Sequence, residues 1–346
     1  MRYSFILFIA CLVCLMGLAS CSQEQGTDLL DDYLDRLSNV VNVERSDERN
    51  FYHLYLEQRP RFLLTGGAKR VGLTGIEESI SLLDFLSLYG CQLQTLVAER
   101  NSILGKQARH SQHLLYELAF LEHSPACIEA LEQEGDSELA KQLSRVTDQK
   151  AQALPKLIWQ TLFYGEEALQ FWRQPKDTGN YPDKDQIAVI SSLKALKLSV
   201  DAWLNGDYSH GREQLEGHLA VLNQNDGGAL LKSFLLYFLA LEEANALLDD
   251  AKLCNKQTPL FNTLAAQNVV TKFFVGSVQV WVSRLSQRYY ELLPHYRALE
   301  AQLAKVESPE YQAWRSRRDD FFESVIHSSK AHVQRLGVLL NGCAKT

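Results

Sequence analysis

The chain has no apolar run long enough to cross a bilayer comfortably: the longest, Tyr3 to Leu18, falls short of the roughly 20 residues that a spanning helix needs. It has little alternation of apolar and polar residues at period two, which excludes a sandwich or barrel of half-buried strands. It has no excess of positive charge. Lys and Arg number 35 against 42 Asp and Glu, a net charge of −7, so the electrostatic footprint of general nucleic-acid binding is missing. Decisive catalytic motifs are lacking too. In Thr65-Gly66-Gly67-Ala68-Lys69-Arg70-Val71-Gly72-Leu73-Thr74, Leu73 stands where a Walker loop needs its lysine, and no buried strand precedes it. Ser191-Ser192-Leu193-Lys194 fits the Ser-x-x-Lys of penicillin-binding serine enzymes, but the companion Lys-Thr-Gly is absent. An exposed helix face is the better reading.

What is present begins at the N-terminus. Arg2 precedes the apolar run, Ala19 and Ser20 are small, and Ser22-Gln23-Glu24-Gln25 is abruptly polar. A basic residue, an apolar stretch and small residues at a cleavage point describe a secretion signal. Leu18-Ala19-Ser20-Cys21 resembles the lipobox of bacterial lipoproteins. That resemblance implies cleavage after residue 20, diacylglycerol on the Cys21 sulfur and acylation of the freed amine. More than one acyl chain gives durable anchoring, where a single chain is marginal. Ser22 after the cysteine, rather than Asp, implies transfer to the outer membrane, facing the periplasm.

Removing residues 1–20 leaves 326 residues at a net charge of −8, enough for one large or two moderate domains. An apolar content of 46% excludes a disordered tether. Of the seven cysteines, Cys91, Cys127, Cys254 and Cys343 remain after cleavage and lipidation. Four thiols in an oxidising compartment allow three pairings. Cys91 with Cys127 and Cys254 with Cys343 are favoured, because each pair ties neighbouring helical segments; buried free thiols are the alternative.

Apolar residues recur at spacings of three and four almost throughout, so the mature chain reads as all-α, an elongated multi-helix bundle built of antiparallel hairpins. Residues 21–27 read as the anchored tether. Thr27 then caps a helix with Leu30, Tyr33, Leu34, Leu37, Val40 and Val41 on one face. Residues 44–75 read as a long connection around a short helix, and 76–99 as an amphipathic helix. Further helices are expected near 107–122, 125–133, 136–153, 156–173, 184–204, 208–222, 227–253, 264–305 and 309–341. Pro125 and Pro155 mark starts in this reading, and Pro294 a kink. The 264–305 segment is expected to pair antiparallel with the last helix and bury Phe273, Val280, Leu285 and Leu292. The loop 174–183 is a candidate soft boundary between a half at 28–174 and a half at 183–346, which also fit one continuous domain. Trp203-Leu204-Asn205-Gly206-Asp207-Tyr208 with Gly211 resembles one tetratricopeptide hairpin. A solenoid needs at least three such units, and no second copy follows.

Three constellations carry candidate chemistry. His110, His113 and Glu117 share one helical face, as two imidazoles and a carboxylate holding a metal must, although neither His-Glu-x-x-His nor Glu-x-x-His accompanies them. Arg100, Asn101, Ser102, Lys106 and Arg109 gather at a polar break between helices, where they could offer donors to an anionic partner. Arg315, Arg317 and Arg318 lie beside Asp319 and Asp320, and read as self-neutralising surface charge. Glu323 and His327 read as a surface pair one turn apart.

From lipobox through Glu99-Arg100-Asn101-Ser102-Ile103-Leu104-Gly105-Lys106 to the helical C-terminus, the layout resembles an uncharacterised family of gamma-proteobacterial lipoproteins. That likeness implies location and fold class and carries no catalytic residue. The functional expectation is a membrane-anchored binding or scaffold protein for envelope partners, needing no cofactor and no nucleic acid. The alternative is an envelope enzyme, a hydrolase or metal enzyme, centred on His110, His113 and Glu117.

Overall fold

A computed structural model describes residues 25–64, 91–102, 107–182, 186–251, 253–255 and 258–341. The lipobox, most of the expected 76–99 helix, Lys106 and Cys343 lie outside the described residues. The fold is all-α. Its helices are α1 (Gln25–Val41), α2 (Phe51–Gln58), α3 (Gln92–Asn101), α4 (His110–Glu134), α5 (Ser137–Tyr164) and α6 (Glu166–Phe171). After these come α7 (Ile187–Leu204), α8 (Leu215–Leu222), α9 (Asp226–Asp250), α10 (Thr263–Asn268), α11 (Gln279–Gln302) and α12 (Pro309–Asn341). The strands β1 (Cys254–Asn255) and β2 (Thr258–Pro259) form a small antiparallel ladder between α9 and α10. Among the described residues, no helix is long and apolar enough to cross a membrane.

At the centre stands α9, buried along most of its length. Its first turn runs close beside the chain leaving α6. A Cβ at Gly228 would strike the carbonyl of Arg173, so only glycine permits that approach. Around α9 pack α1, α2, α11 and α12, while α7 lies along α11. One large hydrophobic cluster joins residues from both sides of the 174–183 loop, among them Ile158, Phe171, Val189, Leu235, Trp281 and Trp314. A second, smaller cluster joins α3, α4 and α5 through Leu93, Phe120, Leu131, Leu139 and Leu143. The expected face of α1 holds: Leu30, Tyr33, Leu34, Leu37 and Val41 are buried, and Val40 partly so.

Several expected breaks are not there. Pro125 lies inside α4 and Pro155 inside α5, each helix continuing through it. A mid-helix proline costs about 3 kcal/mol through its missing N–H and its ring. The buried stripe that continues past each proline, Cys127 and Leu131 in one helix, Leu157, Ile158 and Leu162 in the other, offsets that cost. Instead α5 ends at Gly165, and α6 follows it. The long C-terminal segment also differs from expectation in its winding. The segment before α11 is wound as a π-helix over Val269–Val278, with the Ser277 hydroxyl donating to the Lys272 carbonyl. Besides packing on α7, α11 faces α12 in the antiparallel sense, Tyr289 meeting Phe322 at 5.1 Å and Glu300 meeting Arg318 at 2.9 Å, and α12 packs on α9 as well. Leu285 and Leu292 are buried, whereas Val280 is exposed.

Candidate functional site

The two helices that flank the polar corner, α3 and α4, are joined covalently at the far end of α3. Cys91 and Cys127 form a disulfide with their Cα atoms 5.7 Å apart, and the Cys91 sulfur accepts from the Leu93 N–H at the start of α3. At the other end of α3, the Ser102 hydroxyl donates to the Glu99 carbonyl. The Arg100 guanidinium sits 5.9 Å from the Tyr116 ring centre. Arg109 lies 4.0 Å from Glu166 and 3.8 Å from Glu167, so two carboxylates compete with any anion for it. Asn101 is exposed, and Lys106 lies outside the described residues. The two described cations, Arg100 and Arg109, thus each have local partners of their own.

His110, His113 and Glu117 do occupy successive turns of α4. The Glu117 carboxylate, however, accepts from Lys150 Nζ at 2.6 Å, and the ammonium is sandwiched against Phe120 and Tyr116 at 4.8 and 5.6 Å. That ion pair gives the carboxylate a partner within the protein. Burial, and then Glu117, push the Tyr116 hydroxyl above its usual range. Among the described residues, no three His, Cys, Asp or Glu side chains come together to hold a metal. Ser191 and Lys194 are exposed on α7, while buried Ser192 lies 3.3 Å from His218.

Among the described residues, a cleft of 420 Å³ lies between α7 and α11, unmarked by any sequence motif. Ile187 and Ile190 form one wall, Arg284, Gln287 and Glu291 the other, and Pro182 and Gln186 close its end. Its floor is ionic. Arg288 donates through Nη2 to one Asp226 oxygen and through Nε to the other at 3.3 Å. The Tyr181 hydroxyl donates to Asp226 Oδ1 at 2.8 Å, and Trp281 Nε1 donates to the Tyr181 carbonyl at 3.1 Å. Asp226 opens α9, where the positive end of the helix dipole favours a carboxylate. Burial, followed by the Asp226 charge, raises the Tyr181 hydroxyl well above its usual range. Acid and base neutralise each other here, leaving the rim to meet a ligand. That rim mixes exposed apolar and charged groups, which suits adhesion to a surface or a chain more than enclosure of a small substrate.

Other buried charges are equally self-contained. Arg318 donates through both terminal nitrogens to Glu300 at 2.9 Å, while the Tyr311 hydroxyl donates to the same carboxylate at 2.7 Å. Trp172 and Trp314 lie 4.9 and 5.0 Å from the guanidinium. Arg318 is therefore an interior residue, correcting its assignment to the surface. Burial disfavours its charge, but Glu300 prevails and holds the pKa above the usual arginine value. Arg315 pairs with Glu307 at 2.8 Å, and the His327 ring bonds the Glu323 carbonyl, not its carboxylate.

These observations define the class: an all-α body with internally paired buried charges and, among the described residues, an open cleft between α7 and α11. The chain belongs to the family described as Protein of unknown function (DUF3080), whose model matches residues 30–345. No curated protein matches the chain, and no solved structure does.

Proposed function

We propose that this chain is a lipoprotein of the gamma-proteobacterial envelope. In this reading it is anchored in the outer membrane by lipid on Cys21, and its helical body binds or scaffolds partner proteins in the periplasm. The observation that carries the reading is the Cys91–Cys127 disulfide, because such bonds persist in oxidising compartments and are rare in the cytosol. It agrees with Leu18-Ala19-Ser20-Cys21, which independently points to export and acylation. The binding role is supported by the pairing of Glu117, Asp226, Glu243 and Glu300 with internal cations. Those carboxylates organise the fold, and the exposed helix faces are left for association.

Radiolabelled palmitate tests the anchor: it should enter the wild-type chain and not a Cys21→Ala variant. Labelling of both, or of neither, overturns the proposal. Partner binding is tested by photo-crosslinking in intact cells from positions 100 and 109. A discrete adduct is the expected result, and capture of bulk abundant proteins alone counts against it.

A further inference from the structure

We infer that a face running from Val280 on α11 to Ile187, at the mouth of the α7–α11 cleft, rests on the phospholipid surface. The inference builds on the Cys21 anchor proposed above and adds an orientation to it.

The geometry starts from Gly26 in the first turn of α1. Its Cα lies so close to the Trp281 indole that a Cβ there would overlap the ring. Further along, Tyr33 meets Phe274 at 5.2 Å, and Arg36 lies 3.8 Å over Phe273. Rising numbers in α1 thus meet falling numbers in the π-helix, so the two run antiparallel. The N-terminal end of α1 consequently points the way α11 runs, from Trp281 towards Arg284 and Gln287. Cys21 is four residues before Gln25, and four peptide units reach at most about 14 Å. The Cys21 Cα must therefore lie within that distance of the start of α1, with its lipid beside it.

The surface beside that point has the right chemistry. Val280, Arg284, Gln287 and Glu291 recur at intervals of four, three and four, which places them on one face of α11. Trp281 ties this face to the cleft through the Tyr181 carbonyl, next to Pro182 in the cleft wall. Ile187 opens α7 with 73% of its surface exposed, and Val280 is 53% exposed. An aliphatic group held at an anchored surface gains by leaving water for the headgroup and acyl boundary, adding to the hold of the lipid itself. A partner protein seated on the same residues would have to share the surface with the bilayer.

The test uses the full chain, lipidated in cells and reconstituted into vesicles of phosphatidylethanolamine and phosphatidylglycerol. Cys254→Ser and Cys343→Ser leave no thiol outside the disulfide and the anchor. Single cysteines are then placed by Ile187→Cys, Val280→Cys and, as reference, Lys141→Cys on α5, where the native side chain is 65% exposed. A membrane-impermeant maleimide should modify positions 187 and 280 at least about tenfold more slowly than position 141. Inserting about thirty Gly and Ser residues after Ser22 should bring the three rates within about twofold, because a long flexible tether no longer dictates orientation. Equal rates with the native tether overturn the inference, as do slow rates that the insertion leaves unchanged. Palmitate content separates the two levels. A palmitoylated chain with equal rates removes the orientation alone, and a chain without palmitate removes anchor and orientation together.

Discussion

The large cluster around α9 and the small one formed by α3, α4 and α5 face the same problem with very different means. The large one contains all five tryptophans and buries complete ion pairs, Arg318 with Glu300 and Arg288 with Asp226. Among the described residues, the small one buries eight, with Phe120 their sole fully buried aromatic ring, and it carries the Cys91–Cys127 bridge. Apolar area grows with cluster size, so a large core tolerates the desolvation of a well-bonded charge pair. A small one gains proportionally more from covalent closure, which limits the freedom of its unfolded chain. The fully buried arginine pairs and the disulfide therefore occur in different parts of one body, while the small cluster carries a carboxylate–ammonium pair, Glu117 with Lys150, against Phe120.

The sharpest way to break this comparison is to orphan a charge in the large core. Arg318→Met leaves Glu300 buried with only the Tyr311 hydroxyl, and should cost about 3–5 kcal/mol in urea unfolding followed by circular dichroism. Adding Glu300→Gln should recover more than half of that loss, since two neutral side chains then replace the pair. A double variant as unstable as the single one would mean that packing around the site, and not charge, decides.

The next largest effect belongs to the small cluster. Cys91→Ser with Cys127→Ser opens a loop with a sequence separation of 36, worth about 3–4 kcal/mol in the chain-entropy account. The loss should be local. Amide exchange should accelerate in α3 and in the second half of α4, while α9 keeps its protection. Equal acceleration in α9 would show that the two clusters unfold as one unit.

A third effect returns to the large core through pH. His332 is fully buried, with Nδ1 2.7 Å from the Asn245 side-chain oxygen and Nε2 2.7 Å from the Tyr33 hydroxyl. The ring therefore donates through Nδ1 and accepts through Nε2. Burial, followed by the charge of Arg335, lowers its pKa from 6.5 to about 3. Between those values the unfolded chain binds a proton that the folded chain refuses. His332 thus contributes its full stability above about pH 6.5, and loses roughly 1.4 kcal/mol per unit as pH falls towards 3. Comparing wild type with His332→Gln at several pH values isolates this slope from that of the carboxylates. Parallel curves for the two proteins would mean that His332 accepts a proton inside the fold.

How much of this was legible follows from which forces act locally. Helix α12 spans Pro309–Asn341, the limits its Ser308-Pro309 start and apolar spacing imply, because capping and periodicity are properties of neighbouring residues. Pro125 and Pro155 misled because burial of residues beyond them outweighs a local penalty. The π-turns before α11 left no readable signal, since the apolar spacing there fits an ordinary helix as well. Arg318 could have been found: it continues the stripe Tyr311, Trp314, Phe321 and Val325, and a charge on a buried stripe demands a partner. Asp226 and Arg288 are harder, because their pairing spans 62 residues and neither sits in a motif. The corner at Arg100–Arg109 was visible as a cluster of cations, but the carboxylates that meet Arg109 come from α6, distant in sequence.

The smallest effect sharpens the comparison from the other side, with the same residue type in a different setting. Arg109 precedes α4 with 63% of its side chain exposed, and its carboxylate neighbours stand at the limit of ion-pair distance. Its structural work is done by its backbone. The Arg109 N–H donates to the Gln112 side chain at 3.2 Å, and its carbonyl accepts from the His113 N–H at 3.0 Å. Arg109→Ala keeps both bonds, and an exposed pair is worth 1 kcal/mol at most, so the variant should lose less than about 0.5 kcal/mol. Gln112→Ala, which removes the acceptor for that N–H, should cost more, about 0.5–1 kcal/mol. If the order were reversed, Glu166 and Glu167 would be fixing the start of α4 through charge, and the corner would depend on ionic strength. With the expected order, a guanidinium matters to this fold where water cannot reach it, and Arg109 remains open to exchange its weak neighbours for a partner.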